Sequence, residues 1–223
     1  MWCVPSLTPL FRERMEDILS LYTEPLSEGH VVHCFDETPK QLLSTPHGFR
    51  RATATHALRI DHEYKREGTR NIFVAVAPFK GTRTVVVTER RTTKDTADFL
   101  WKYCMNTHKD AAHIHLVLDN LNTHNEAALR TTFGPKRSAA FFAHVTLHFT
   151  PYHASWLNLA ELEINCLKTQ GLKRRIATDT RMKKLDIAHF SIRPVGKGPF
   201  NILVIVDIYV LIHHNYIFRH IGS

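Results

Sequence analysis

Residues 113–124 read HIHLVLDNLNTH, and residues 145–167 read VTLHFTPYHASWLNLAELEINCL. The first stretch opens on an apolar run, Ile114 to Leu118, that delivers Asp119 into a turn-rich segment. Apolar but for His115, this run is what a central strand buried on both faces is expected to carry. The second stretch repeats the arrangement with a strand at Val145 to Phe149. Ser155 can then cap a helix from Trp156 to about Lys168, and that helix carries Glu161. Upstream, VVHCFDETPK (31–40) is a third case, a short strand Val31 to Phe35 ending on Asp36 and Glu37.

Working outward, Phe11, Met15, Ile18, Leu19 and Tyr22 recur at helical spacing. Residues 24–29 read as a linker, and ETPKQLLSTPHGF (37–49) as a loop because of its prolines and glycine. Residues 50–67 resist assignment, and EGTRN (67–71) is a turn signal. Two β-runs, 71–77 and 82–88, flank PFKG and form a hairpin. Thr93 is a plausible N-cap for a helix whose Ala97, Leu100, Trp101 and Cys104 share a face. NTHNEAALRTTFG (122–134) reads as a helix stopped by Gly134. The first three strands are hairpin-like, and the last two alternate with helices and should be parallel. The expected fold class is therefore α/β, a mixed five-stranded sheet with flanking helices. In such open sheets ligands gather at the carboxyl ends of the strands.

Three acids at that rim have one natural use. Carboxylates brought within a few Å repel unless a proton or a cation sits between them. Hard oxygen ligands suit Mg²⁺. Asp36, Asp119 and Glu161 would together hold two ions, and two ions ~3.5–4 Å apart clamp the attacking and leaving oxygens of a phosphoryl displacement. Separately, each acid could be only a cap or turn residue, as Asp119 would be in an Asx turn. Glu163 competes with Glu161, since the two point about 200° apart on a helix. Glu161 shares a polar face with Asn158, Asn165 and Lys168 and is preferred. Glu163 falls among Trp156, Leu159, Ala160 and Leu167 and would need a partner there.

The rest of the chain narrows the function classes. Its 223 residues carry a formal charge of +8, which favours a polyanionic partner, most simply nucleic acid. Arg90, Arg91 and Lys94, and then Lys173, Arg174 and Arg175, flank the acid-bearing elements and are candidate phosphate contacts. The four cysteines form no C-x-x-C pair, so a zinc knuckle or redox motif is not indicated. There is no H-E-x-x-H, Walker, G-x-S-x-G or G-x-G-x-x-G pattern, and the 16 histidines are scattered. The greasiest run, Phe200 to Ile212, is broken by Asp207 and falls short of the ~20 residues of a membrane span.

CFDETPKQL (34–42), DHEYKREGTRNIFVAVAPFKG (61–81), LVLDNLNTHN (116–125) and HFTPYHASWLNLAELEINCLKTQGLKRRI (148–176) resemble the catalytic domain of bacterial insertion-sequence transposases. That group is related to mariner-like elements and described as DDE superfamily endonucleases. The resemblance implies a ribonuclease H-like fold and DNA cleavage and strand transfer dependent on two Mg²⁺ or Mn²⁺ ions. Carried over residue by residue, the family's two aspartates fall on Asp36 and Asp119 and its glutamate on Glu161. It further implies element ends and target DNA as partners, a homodimer or intact transposase as protein partner, and a cytoplasmic, nucleoid-associated location. Domain boundaries follow: a helical segment and linker at 1–29, a catalytic domain at 30–177, and a divergent tail at 178–223. The family's N-terminal helix-turn-helix reader has no counterpart here and the tail departs from its pattern, so a truncated or decayed copy is expected. Two other readings compete with an active transposase: an inactive fragment that binds DNA or intact transposase, and a nuclease of RNA–DNA hybrids.

Overall fold

A computed structural model describes residues 8–60, 62–119, 125–172 and 175–177. In chain order the elements are α1 (Pro9–Thr23), β1 (His30–Ser44), the two-residue strands β2 (Phe49–Arg50) and β3 (Arg59–Ile60), then β4 (Lys65–Ala77) and β5 (Thr82–Thr88). Next come α2 (Thr93–Leu100), β6 (His113–Leu118), α3 (Glu126–His144), β7 (Val145–Phe149) and α4 (Leu159–Cys166). Five strands form one sheet in the order β5-β4-β1-β6-β7. β1 and β4, and β4 and β5, are antiparallel, whereas β1 and β6, and β6 and β7, are parallel. The mixed five-stranded sheet expected from the sequence is the one observed.

Alternation along the strands divides the core in two. Val32, Cys34, Val74 and Val117 face α1 and α4, where they meet Ile18, Tyr22, Leu157, Ala160 and Ile164. Phe35, Phe73, Leu116 and Leu118 face α2 and α3, against Ala97, Leu100, Leu129 and Phe141. β6 is apolar on both faces at its carboxyl end because helices cover both.

Several local expectations are overturned, each for a physical reason. β1 runs to Ser44, so 37–44 is strand and not loop, with Thr38 and Leu42 buried. Pairing with β6 ends at Cys34, so Pro39, beyond it, removes no β6 ladder bond. EGTRN lies inside β4. Gly68, at φ +113°, sits beside a register shift at Leu42/Leu43, and the turn-like composition serves this irregularity. Thr92, not Thr93, caps α2, and it forms a reciprocal box with Asp95. Gly134 does break its helix, at φ +72° and ψ 171°, but Pro135 restarts the helix as far as His144. After Ser155–Leu157 makes one tight turn, Asn158 rather than Ser155 caps α4.

Two polar arrangements lock the helices to the sheet. Arg83 on β5 donates to Glu163 on α4 at 2.9 Å, with both side chains nearly fully buried. Glu163 has found the partner that its apolar surroundings demand, and this ion pair fixes the rotation of α4. Running diagonally across the parallel strands, from the first residue of β1 to the next-to-last of β7, His30, His115 and His148 form a chain of ring nitrogens 3.2 and 3.1 Å apart. His148 donates to Asp17 of α1 at 2.7 Å and closes the chain. Their alignment across three neighbouring strands was invisible in the sequence, because strand order and register create it.

Arg83→Met leaves a buried carboxylate without its cation and is expected to lower stability by about 3–5 kcal/mol in urea unfolding. Arg83→Met combined with Glu163→Leu should recover most of that loss, and no recovery would mean the pair is not the cause.

Acid sensitivity is a second expectation. Burial, aided by nearby His108 and Lys80, holds His33 down at about 3, and burial beside His148, His113 and His30 holds His115 at about 4. Both folded values lie below the ordinary 6.5, so the folded state binds fewer protons and stability is lost as pH falls from about 6.5 toward 4. His33→Leu should flatten that fall, as read from urea midpoints between pH 7 and pH 4. Parallel profiles for the two proteins would exclude His33 as a contributor.

Candidate metal and DNA-cleavage site

The carboxyl rim of the parallel strands is built from three elements. Asp36 lies within β1, two residues past the last β6 pair, Cys34↔Val117. Asp119 follows the last residue of β6 directly. Glu161 occupies the first turn of α4. The Thr150 N–H donates to the Leu118 carbonyl at 2.9 Å, which carries the β6–β7 ladder up to the residue before Asp119.

What brings α4 to this rim is Asn158. Its side-chain amide donates to the Phe35 carbonyl at 2.9 Å, the peptide just before Asp36, while its Oδ1 accepts from the Ala160 N–H at 3.1 Å. One fully buried side chain therefore caps the helix bearing Glu161 and ties it to the strand bearing Asp36. Tyr22 reinforces the junction by donating to the Leu157 carbonyl at 2.9 Å. An Asn three residues before a Glu at a helix start is a readable capping signal. Its second bond, to a strand far away in sequence, is not readable in the same way.

Electrostatics shows that the acids feel one another. Burial is the largest force on the Asp36 carboxyl, and the Glu37 N–H at 2.7 Å opposes it. The charges of Asp119, Glu161 and Glu37 add to the burial, and the group is pushed up to about 7. Glu161 Oε2 is buried with no hydrogen-bond partner. Among the described residues no group of three or more His, Cys, Asp or Glu side chains stands ready-gathered around a metal position. The acids thus form a repelling set with an orphaned oxygen, all hard donors, which is the chemistry a divalent cation would relieve.

The basic residues divide. Arg91 lies 3.6 Å from Glu37, beside Asp36, and Arg90 and Lys94 sit with it at the start of α2. Arg175 donates to the carbonyls of Glu63 and His62 at 2.8 and 2.9 Å, so its guanidinium is engaged in holding the segment before β4. Lys173, Arg174 and the 178–223 tail lie outside the described residues.

Comparison with known proteins bears on the family and the fold. Residues 31–183, more than half of the chain, match the family described as DDE superfamily endonuclease. The chain belongs to that family. Among solved structures it is similar to the Mos1 mariner paired-end complex with Mn, at 14% identity and a TM-score of 0.53, covering 82% of this chain and 56% of that one. The Mos1 strand transfer complex matches at 13% identity and a TM-score of 0.54, covering 82% and 55%. The chain spans about half the length of these transposase chains, and the likeness establishes the ribonuclease H-like fold. A comparison with curated proteins finds no match. No helix among the described residues is long and apolar enough to cross a membrane.

Because the Asp36 folded value lies above its ordinary 3.8, the folded state keeps a proton that the unfolded chain has released. Metal-free stability should therefore fall as pH rises from about 4 through about 7. Asp36→Asn, measured in EDTA, is expected to raise the thermal midpoint at pH 8 and leave it unchanged at pH 4. An equal shift at both pH values would show that charge is not the cause.

Proposed function

We propose that this chain is a transposase catalytic domain that cleaves DNA phosphodiesters and transfers the freed strand. The observation that carries this reading is the convergence of Asp36, Asp119 and Glu161 from β1, β6 and α4 on one strand rim, in a chain of the endonuclease family. The reaction is in-line displacement at phosphorus, first by water and then by a DNA 3′-hydroxyl.

Asp36, Asp119 and Glu161 would hold Mg²⁺ or Mn²⁺, two ions being the number their oxygens suit. The orphaned Glu161 oxygen and the elevated Asp36 carboxyl support that fit. Bound metal would supply charge neutralisation at the attacked phosphorus and its oxygens. The protein's own part is rigidity: Asn158 and the Arg83–Glu163 pair hold α4 so that Glu161 meets β1 without reorganisation. Arg90, Arg91 and Lys94 contribute sequence-independent contacts to the DNA backbone, with Lys173 and Arg174 as a second cluster beside Arg175, whose donors already hold the carbonyls of Glu63 and His62.

The printed names of the Mos1 neighbours describe transposon-end and strand-transfer complexes, which supports element ends and target DNA as partners. A homodimer, or pairing with an intact transposase, belongs to the same reading, as do the 30–177 catalytic domain, the 1–29 and 178–223 flanks, a bacterial insertion-sequence origin and a nucleoid location. A second reading is an inactive copy that binds DNA or intact transposase without cutting. It draws on the residues 178–223, whose sequence departs from the family's pattern.

Nicking of supercoiled plasmid tests the first reading. The wild-type chain is expected to nick with Mn²⁺ and not in EDTA, and Asp119→Asn to nick at least ~100-fold more slowly. Equal nicking by both proteins would remove Asp119 from the reaction. Salt-sensitive gel shifts with no nicking would favour the inactive copy.

A further inference from the structure

The segment between β7 and α4 carries a feature that the three acids do not use. Tyr152 is 73% exposed, the most exposed of the large apolar side chains among the described residues. His153, next to it, is the only non-glycine described residue with a left-handed backbone, at φ +63°. The rings of the two lie 4.0 Å apart between centroids and are tilted by 59°. A single exposed aromatic residue is ordinary. An exposed aromatic held outward by a strained backbone is not, because strain persists only where the surroundings enforce it and concentrates at functional sites.

The surroundings here do enforce it. On one side, Thr150 is buried and its N–H is bonded to the Leu118 carbonyl, next to Asp119. On the other, the buried Ala154 donates its N–H to the Pro151 carbonyl at 3.0 Å and closes a tight turn beneath the two rings. The chain then passes through buried Leu157 into the Asn158 cap and the helix of Glu161. Both ends of the turn are thus nailed to elements that bear the acids, and Tyr152 and His153 are what the turn presents to solvent.

We propose that Tyr152, backed by His153, is a stacking platform for an unpaired nucleobase beside the scissile phosphate. Every base has a π-face, so such a platform is tolerant of sequence, and a base stacked on an aromatic side chain contributes appreciably to single-strand affinity. The platform holds an end that has lost its pairing partner and keeps the adjoining phosphate at the acid rim. This inference rests on the DNA-cleavage reading, but binding tests it separately from cutting.

The probe is a short duplex with a three-base single-stranded overhang containing 2-aminopurine, alongside the blunt duplex. Binding is measured on the full-length chain carrying Asp119→Asn, so that chemistry stays off. Fluorescence of the probe should be quenched about twofold or more on binding, and the overhang should be preferred over the blunt duplex about fivefold or more. Tyr152→Phe should keep both effects and Tyr152→Ala should lose both. Since residue 152 is exposed, the alanine variant should unfold at the same midpoint as its parent. His153→Gly should raise the midpoint by relieving the left-handed backbone, yet weaken the quench. Unchanged quenching and preference in Tyr152→Ala would overturn the platform. Tyr152-dependent quenching in a protein that fails the plasmid-nicking test would sink the cleavage reading and leave the platform standing.

Discussion

Like charge gathered at one buried rim is the constraint to which the rest of this protein answers. A carboxylate half-removed from water and faced by others is an unfavourable arrangement that folding alone does not relieve. The fold supplies the means to enforce it. The parallel pairing of β1 with β6 ends at Cys34↔Val117, so Asp36 and Asp119, each two residues beyond it, share a rim by topology. Glu161 joins them from a helix secured by a buried asparagine on one flank and a buried ion pair on the other. The elevation of Asp36 to about 7 is the electrostatic trace of that enforcement.

Stability and function therefore pull in opposite directions at the rim and in the same direction away from it. The two apolar layers on either face of the sheet are continuous and well buried, and they fix the strand register on which the rim depends. Asn158 shows how few groups the coupling needs: a single side chain both begins a helix and binds the peptide before Asp36. The chain of histidines ending at Asp17 plays a comparable part for α1, which it fastens across the strands.

Much of this was legible in the residues. An apolar run ending in an acid gave β6 and its place at the rim, as expected of a strand buried on both faces, and a second β-prone run gave β7. The helical wheel separated Glu161 from Glu163 because one position is surrounded by apolar neighbours. Prolines and glycines misled the reading wherever tertiary context neutralised them. Pro39 lies beyond the β6 pairing, Gly68 serves an irregularity in pairing, and Pro135 opens a second helical segment after Gly134. Local signals report local preference, and a sheet partner can overrule them. Long-range polar contacts such as Arg83–Glu163 leave no periodic trace at all. Arg175 reads in the sequence as a candidate phosphate contact, and its bonds to two backbone carbonyls leave no trace there either.

The central claim is that these three carboxyl groups share bound divalent metal. Anomalous diffraction from crystals grown with Mn²⁺ addresses it most directly. The account predicts strong peaks within coordination distance of the Asp36, Asp119 and Glu161 oxygens, ~2.0–2.2 Å for an ion of this kind. Mn²⁺ bound elsewhere, with the three carboxylates turned apart and out of reach of a common ion, would contradict it.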